Sequence, residues 1–499
     1  MVQTLEGTRE YGHYIGGKWT DARAGATFQT HNPATGEPLA TYAKGTPADV
    51  DAAVGAAAAA FKSWRLVPAP KRGEILFRAG QLLAEHKEQL AREMTQEMGK
   101  VLTEARGDVQ EGIDMAFYMA GEGRRMFGHQ VPAELPNKWA MAVRKPLGVV
   151  AAITPWNFPM AIPTWKIMPA LVAGNTVVFK PATYTPLLAV RLAEIFAEAG
   201  LPGGVLNLVL GSGGEVGDAI MRHPDVALVT FTGSTETGDR IALEAARTRK
   251  RLSMELGGKN AIIVMDDADL DLALEGIVWS AFGTSGQRCT AASRVIVHRA
   301  VERDLADLLV ARVAKLRLGN GLDDATDVGP VISHSQLERI HGYMDVGRQE
   351  GAAILVGGDI ATVPGLEGGA FHQPTIFGGA TARMRVSQEE IFGPVTTLIP
   401  VDSFDEAIDV ANGVQYGLSA AIYTADVNRA FRAMQDIFTG ILYVNAGTIG
   451  AEIQLPFGGT KATGNGHREA GQAALDVVTE WQAIYVDYSG KLQRAQIDT

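Results

Sequence analysis

From Gly148 onward the chain repeats one pattern, in which a short and almost purely apolar run is followed by a helical segment and then by another such run. The runs Gly148–Thr154, Thr176–Lys180, Val205–Leu210 and Val226–Phe231 lack polar alternation, which predicts strands buried on both faces. Parallel strands of that kind need helical crossovers between them, so the pattern predicts a doubly wound α/β sheet. A second series starts after Glu255, with strands at Ala261–Met265 and Ser293–His298, a long helix between Asp267 and Phe282, and a continuation to about Asn445. At 499 residues the chain exceeds what one core holds. The expectation is two Rossmann-like α/β lobes back to back, with Glu255 at the join.

Ahead of the lobes, Tyr14–Trp19 reads as a hairpin turning at Gly16-Gly17. Thr46 as N-cap, Pro47 in the first helical position and Asp49 in the first turn predict a helix to about Trp64. A second helix is expected from about Lys71 to Gly99, with His86 on its apolar stripe as a structural residue, and a third over Val101–Phe127, weakened by Gly107 and Gly112. Trp139–Arg144 and Ile484–Tyr488 alternate like edge strands. Such edges pair either with another chain, which implies oligomerisation, or with each other, and the pattern leaves both open.

Charge and cysteine usage narrow the function classes. A net charge of −11 with no Lys/Arg cluster argues against nucleic acid or a membrane surface as the main partner. The most apolar stretch, Pro146–Lys180, is broken by Pro155, Pro159, Pro163 and Pro169 into pieces shorter than the ~20 residues a membrane span needs. One cysteine excludes an internal disulfide framework, and with no apolar leader over Met1–Tyr14 the expected compartment is the cytoplasm. No metal site is expected.

The lone cysteine sits in Gly283-Thr284-Ser285-Gly286-Gln287-Arg288-Cys289-Thr290, where small residues permit close approach of another backbone or a ligand. A free cysteine is often an inert buried hydrophobe, but polar surroundings are what thiolate chemistry needs. Glu255, after the apolar Leu252-Ser253-Met254 and before Gly257-Gly258, is placed at a strand end where partial burial would raise its pKa toward that of a working base.

Six stretches, in order along the chain, carry a resemblance: Thr154–Pro159 (TPWNFP), Phe231–Gly238 (FTGSTETG), Met254–Asn260 (MELGGKN), Gly286–Thr290 (GQRCT), Gln388–Pro394 (QEEIFGP) and Pro456–Lys461 (PFGGTK). Together they resemble the signature segments of the NAD(P)-dependent aldehyde dehydrogenases. The resemblance implies that Cys289 attacks the aldehyde carbon, that Glu255 activates the water that hydrolyses the resulting thioester, and that Asn157 donates to the oxyanion. It further implies a small-molecule aldehyde as substrate, a homo-dimer or homo-tetramer, and this division of the chain: a cofactor-binding domain over residues 1–128 and 147–256, a catalytic domain over 257–445, a return segment over 446–480, and an oligomerisation arm over 129–146 and 481–499.

For the cofactor, the resemblance implies a cleft formed by Thr154, Pro155, Trp156 and Gly257, with the pyrophosphate at Gly233-Ser234 where a helix begins. Lys180 resembles the adenosine-ribose ligand and Glu390 the nicotinamide-ribose ligand, with Phe392 packed nearby. Leu210–Gly217 has the spacing G-x-G-x-x-x-G, a poor match to a dinucleotide fingerprint. Three residues after Lys180 the chain has Thr183 where NAD-preferring members carry glutamate. A hydroxyl does not repel a 2′-phosphate, so NADP is expected to be accepted beside NAD. For the substrate, the resemblance implies Phe158, Trp165, Arg288 and Thr290. Arg288 is expected either to meet a carboxylated semialdehyde or to hold the loop through an internal ion pair. Lys166 is given a supporting place only. Acylating and acyl-phosphate relatives usually lack the base, so Glu255 argues against them, and the intact Cys289, Glu255 and Asn157 argue against an idle structural role.

Overall fold

The computed structural model describes residues 9–497. What was expected of Met1–Thr8 and of the last two residues of the arm lies outside them. In the first lobe, strands Arg251–Glu255, Val226–Thr232, Val149–Ile153, Thr176–Lys180 and Leu206–Leu208 lie side by side and parallel, and the hairpin His13–Ile15 and Lys18–Thr20 completes a seven-stranded sheet. Every residue of Val149–Ile153 and Thr176–Lys180 is buried, as unbroken apolar runs require. The chain steps from Val149–Ile153 outward to Thr176–Lys180 and Leu206–Leu208, then crosses back to Val226–Thr232 and Arg251–Glu255 on the other side. That reversal makes the carboxyl ends of Val149–Ile153 and Val226–Thr232 a topological switch point, where connections depart in opposite directions and leave a crevice.

Leu256–Lys259 links Glu255 directly to the strand Asn260–Val264 of a second seven-stranded sheet. Its order is Ala353–Val356, Thr375–Gly378, Val395–Val401, Ala292–His298, Asn260–Val264, Ser419–Tyr423, Ile441–Val444, parallel except for Ala353–Val356 at one edge. The short link brings the carboxyl edge of the first sheet against the amino edge of the second.

The first helix spans Pro47–Trp64, and the Thr46 N–H donates to the Asp49 carboxylate at 2.9 Å, closing the cap. The helix expected over Lys71–Gly99 is two helices, Ala69–Glu85 and Lys87–Met98, with His86 between them at φ −100° and ψ 7°. The apolar stripe runs through the break, because the second piece turns to pack on the helices Leu102–Arg125 and Leu187–Glu198. Leu102–Arg125 itself is unbroken by its glycines; at Gly112 a Cβ would come within 3.0 Å of Met160, so the missing side chain lets the next segment pack close. The two alternating segments pair with each other, Lys138–Pro146 antiparallel to Thr479–Asp487, and His129–Pro132 adds a third strand. This leaves the outer edges of His129–Pro132 and Thr479–Asp487 without a strand neighbour among the described residues. Among these residues no helix is long and apolar enough to cross a membrane.

Candidate active site

Cys289 lies between the helix Leu270–Phe282 and the strand Ala292–His298, at the amino edge of the second sheet. The loop before it is strained: Thr284 and Ser285 sit at φ 53° and 55°, a left-handed backbone that costs about 1–2 kcal/mol per residue. Four contacts hold it. The Thr284 N–H donates to Glu104 at 2.8 Å, the Ser285 hydroxyl donates to the Gly329 carbonyl at 2.7 Å, the Gln287 amide oxygen accepts from the Ile332 N–H at 2.9 Å, and Asn260 Nδ2 donates to the Cys289 carbonyl at 2.7 Å. Gly286, at φ 67°, rests on the backbone of Gly393; a Cβ there would lie 2.0 Å from the Gly393 carbonyl oxygen.

Two cavities meet at Cys289. One, of about 60 Å³, has Phe158, Trp165, Arg288 and Thr290 in its wall, together with Glu111 and Glu255. The other, of about 170 Å³, has Pro155, Trp156, Asn157 and Gly257 on its wall, with Gly233, Ser234, Glu390 and Phe392. The second opens at the switch point of the first sheet, where topology predicts a ligand crevice.

The chemistry-bearing groups come from different elements. Glu255, the last residue of its strand, is 3% exposed and neither carboxylate oxygen has a hydrogen-bond partner. Burial, and after it the charge of Glu469, holds its carboxyl well above the usual range, while Lys166 and Arg468 pull the other way. Lys166 donates to the Thr230 hydroxyl at 3.0 Å and pairs with Glu469, so a buried chain of polar groups runs behind Glu255. Burial also pushes the Cys289 thiol up to about 12, with Glu255 and Glu390 adding to the effect. The polar setting that favoured a resting thiolate is therefore corrected: the thiol is neutral at rest, because two carboxylates and desolvation outweigh Arg288 and the Thr290 N–H. Asn157 Nδ2 donates to the Gln287 carbonyl at 3.0 Å, which sets an amide donor beside the cysteine loop.

The larger cavity fits a dinucleotide by its own chemistry. Ser234 caps the helix Thr235–Thr248, its hydroxyl accepting from the Thr237 N–H at 3.3 Å, so the start of a 14-residue helix faces the cleft. Glu390 accepts from the Gly258 N–H at 2.9 Å, and a Cβ on Gly257 would come within 2.5 Å of its other carboxylate oxygen. Phe392, at φ 57°, meets Trp156 edge-on with ring centroids 5.4 Å apart.

Comparison with known proteins agrees with this geometry. The model of the aldehyde dehydrogenase family matches residues 19–484. The chain belongs to this family. Among its relatives are an alpha-ketoglutaric semialdehyde dehydrogenase of Bacillus subtilis, 41% identical over 95% of this chain and 98% of that one, and a 2,5-dioxopentanoate dehydrogenase of Saccharolobus solfataricus, 42% identical over 94% and 98%. A betaine aldehyde dehydrogenase from Staphylococcus aureus, solved in complex with NAD+, superposes with a TM-score of 0.94 at 37% identity, covering 97% of this chain and 95% of that one. An NADP dependent enzyme of E. coli superposes with a TM-score of 0.93 at 38% identity, covering 96% and 98%. The chain is thus an NAD(P)-dependent aldehyde dehydrogenase, and the two cavities meeting at its only cysteine give an aldehyde and a dinucleotide separate approaches to one sulphur.

Three residues expected in the dehydrogenase's cofactor cleft are not on its wall. Thr154 is buried with its hydroxyl unpartnered. Lys180 is paired in register with Ile153, its ammonium donating to the Pro181 carbonyl at 2.9 Å and drawn down to about 8 by burial. Thr183 lies at a turn after Pro181 that carries it to a separate cavity of about 540 Å³, shared with Thr30 and Glu97. The Gly-rich segment Leu210–Gly217 lines neither cavity that meets at Cys289. Of the two expectations for Arg288, the ion pair is present: Nη2 lies 3.4 Å from Glu104, and the residue also faces the smaller cavity. Glu104, Glu111 and Glu469 were not singled out from sequence. The first two read as the polar face of an amphipathic helix, and Glu469 as part of a C-terminal motif with no local sign of burial.

Proposed function

We propose that this aldehyde dehydrogenase oxidises 2,5-dioxopentanoate, the semialdehyde of 2-oxoglutarate, to 2-oxoglutarate, and accepts both NADP and NAD. The observation that carries the substrate is the 41–42% identity, over nearly the whole chain, to relatives from a bacterium and two archaea that are named for this activity. Arg288 on the wall of the substrate cavity is in keeping with a carboxylated aldehyde. For the cofactor, solved relatives include one bound to NAD+ and one named as NADP dependent.

In this reading the neutral Cys289 thiol gives up its proton as it attacks the aldehyde carbon, and the ionised fraction of Glu255, on the same cavity wall, receives it. Asn157 Nδ2 and the Cys289 N–H hold the oxygen of the tetrahedral adduct. The dinucleotide, when bound, supplies the hydride acceptor that turns this adduct into a thioester. Glu255 first passes the thiol's proton to the buried Glu469–Lys166 pair, so that as a carboxylate it takes a proton from the water that cleaves the thioester, and the departing Cys289 sulphur is reprotonated. Gly233 and Ser234 hold the pyrophosphate and Glu390 the nicotinamide ribose. The cofactor domain comprises residues 1–128 and 147–256, the catalytic domain 257–445 and the return segment 446–480. The arm, with Val131, Trp139 and Tyr485 at least half exposed and two open strand edges, serves homo-dimer or homo-tetramer assembly. A nucleophile that works as a free thiol supports a cytoplasmic location for the enzyme.

The test is an aldehyde panel with both cofactors. 2,5-Dioxopentanoate is expected to give the highest kcat/KM, and a higher value for betaine aldehyde or an uncharged aldehyde refutes the substrate. A preference for NAD of at least a hundredfold refutes the cofactor reading.

A further inference from the structure

The substrate cavity contains one carboxyl group to which neither the chemistry nor the packing described so far gives a task. Glu111 projects from the helix Leu102–Arg125 into the cavity that holds Cys289. Its acidic neighbours on that helix are committed: Asp108 pairs with Lys100 at 2.9 Å and accepts from the Ala161 N–H at 2.7 Å, and Glu104 accepts from Thr284 and pairs with Arg288. Glu111 makes no hydrogen bond or ion pair with any described residue. Across the cavity the Arg288 guanidinium is held between the rings of Phe158 and Trp279, at 5.3 and 5.2 Å, with Nε donating to the Thr284 hydroxyl at 2.9 Å. Its Nη1 has no hydrogen-bond partner among the described residues.

We propose that Glu111 and Arg288 form the subsite for the distal carboxylate of the substrate, with Arg288 Nη1 and the Glu111 carboxyl both donating hydrogen bonds to it. The inference rests on the reading that the substrate is a carboxylated semialdehyde. Local charge supports it. Lys100 and Asp108 cancel, Arg288 and Glu104 cancel, Lys166 offsets Glu469, and burial biases Glu255 toward its neutral form, so the protonation of Glu111 decides whether an entering carboxylate meets a neutral pocket or an anionic one. Burial raises Glu111 to about 8, with Asp108 and Asp114 pushing further up and Arg288 and Lys100 pulling down. From the strand Ile441–Val444, Tyr443 faces the same group; burial, Glu452 and Glu111 hold its phenol at about 12, so it stays neutral. Below pH 8 Glu111 is therefore a neutral acid, able to donate one O–H, and above it an ion that repels the guest.

The test measures, on the full-length enzyme with saturating cofactor from pH 6.5 to 9.5, the kcat/KM for 2,5-dioxopentanoate divided by that for pentanal. Titration of Cys289 and Glu255 affects both substrates and cancels in the ratio. The wild-type ratio should fall about tenfold by one pH unit above the midpoint. Glu111→Gln, a neutral donor, should keep the ratio at pH 7 and remove the fall, whereas Glu111→Leu should lower the ratio at pH 7 at least tenfold. A Leu variant with the wild-type ratio, or a Gln variant that still loses selectivity above pH 8, overturns the subsite. Succinate semialdehyde, run in parallel, separates the two readings. If the wild type favours it over 2,5-dioxopentanoate and Glu111→Leu abolishes the preference for it over pentanal, the substrate reading falls and the subsite stands. If the wild type favours no carboxylated aldehyde over pentanal, both fall.

Discussion

Replacing Gly286 by alanine tests how the nucleophile is held. The new Cβ would lie 2.0 Å from the Gly393 carbonyl oxygen, 2.4 Å from its carbon and 2.9 Å from Pro394 N. All three are backbone atoms, so no side chain can swing aside. Restoring an ordinary carbon–oxygen contact of about 3.4 Å requires the two segments to part by roughly 1.4 Å. One of those segments carries Cys289 and the other carries Glu390, each three residues from the contact. A displacement of about 1 Å at a reacting centre costs on the order of a hundredfold in rate, so kcat/KM should fall by at least that much. Gly286 also sits at φ 67°, where a side chain adds about 1–2 kcal/mol of strain, so the melting temperature should drop as well. The assay pairs steady-state kinetics with thermal unfolding and with titration of the thiol by an alkylating reagent. A variant that keeps activity within threefold of the wild type and melts normally would refute the claim that this backbone contact positions the sulphur.

Glu255→Gln should retain a first-turnover burst of reduced cofactor while steady-state turnover falls by about 10²–10⁴. Because burial holds the Glu255 carboxyl above its ordinary range, the base ionises at higher pH than a free carboxylate, and wild-type thioester hydrolysis should rise with pH. Stopped-flow traces in which the Gln variant shows the same pH limb would remove Glu255 from this role. Lys100→Met breaks a fully buried pair and strands Asp108, with an expected loss of about 3–5 kcal/mol. Removing both charges with Lys100→Met and Asp108→Leu should recover most of it; denaturant titration at matched subunit concentration decides, and a loss below about 1 kcal/mol for the single variant refutes the pair's importance.

The strands of the first lobe were legible because burial on both faces leaves an unbroken apolar run; Thr176–Lys180 has the expected ends, and Val226–Thr232 is one residue longer. Their order was not legible, since a crossover to the left or to the right of Val149–Ile153 leaves the same runs in the chain. His86 shows a second limit: an apolar stripe records which face is buried and says nothing about a turn between two helices burying the same face. At the site, Cys289, Asn157, Glu255 and Phe158 could be named because they stand in motifs. Glu111 and Glu469 could not, because their roles come from cavities that other segments close around them. Thr183 fails for a related reason, since spacing from Lys180 says nothing about which side of a turn a residue ends on.

The clamp on the cysteine loop is made largely of contacts to backbone atoms: Gly286 against Gly393, Ser285 on the Gly329 carbonyl, Asn260 on the Cys289 carbonyl. Much of the wall of the smaller cavity, the side chains of Glu111, Phe158, Trp165 and Phe457, comes from segments remote in sequence from that clamp, while Arg288 and Thr290 come from the loop itself. Reactivity and selectivity are thus encoded in parts of the chain that overlap only at Arg288 and Thr290. Mutational drift in the wall can retune which aldehyde enters without moving the sulphur, which makes this scaffold readily evolvable and points an engineer to Glu111 and its aromatic neighbours rather than to the loop itself.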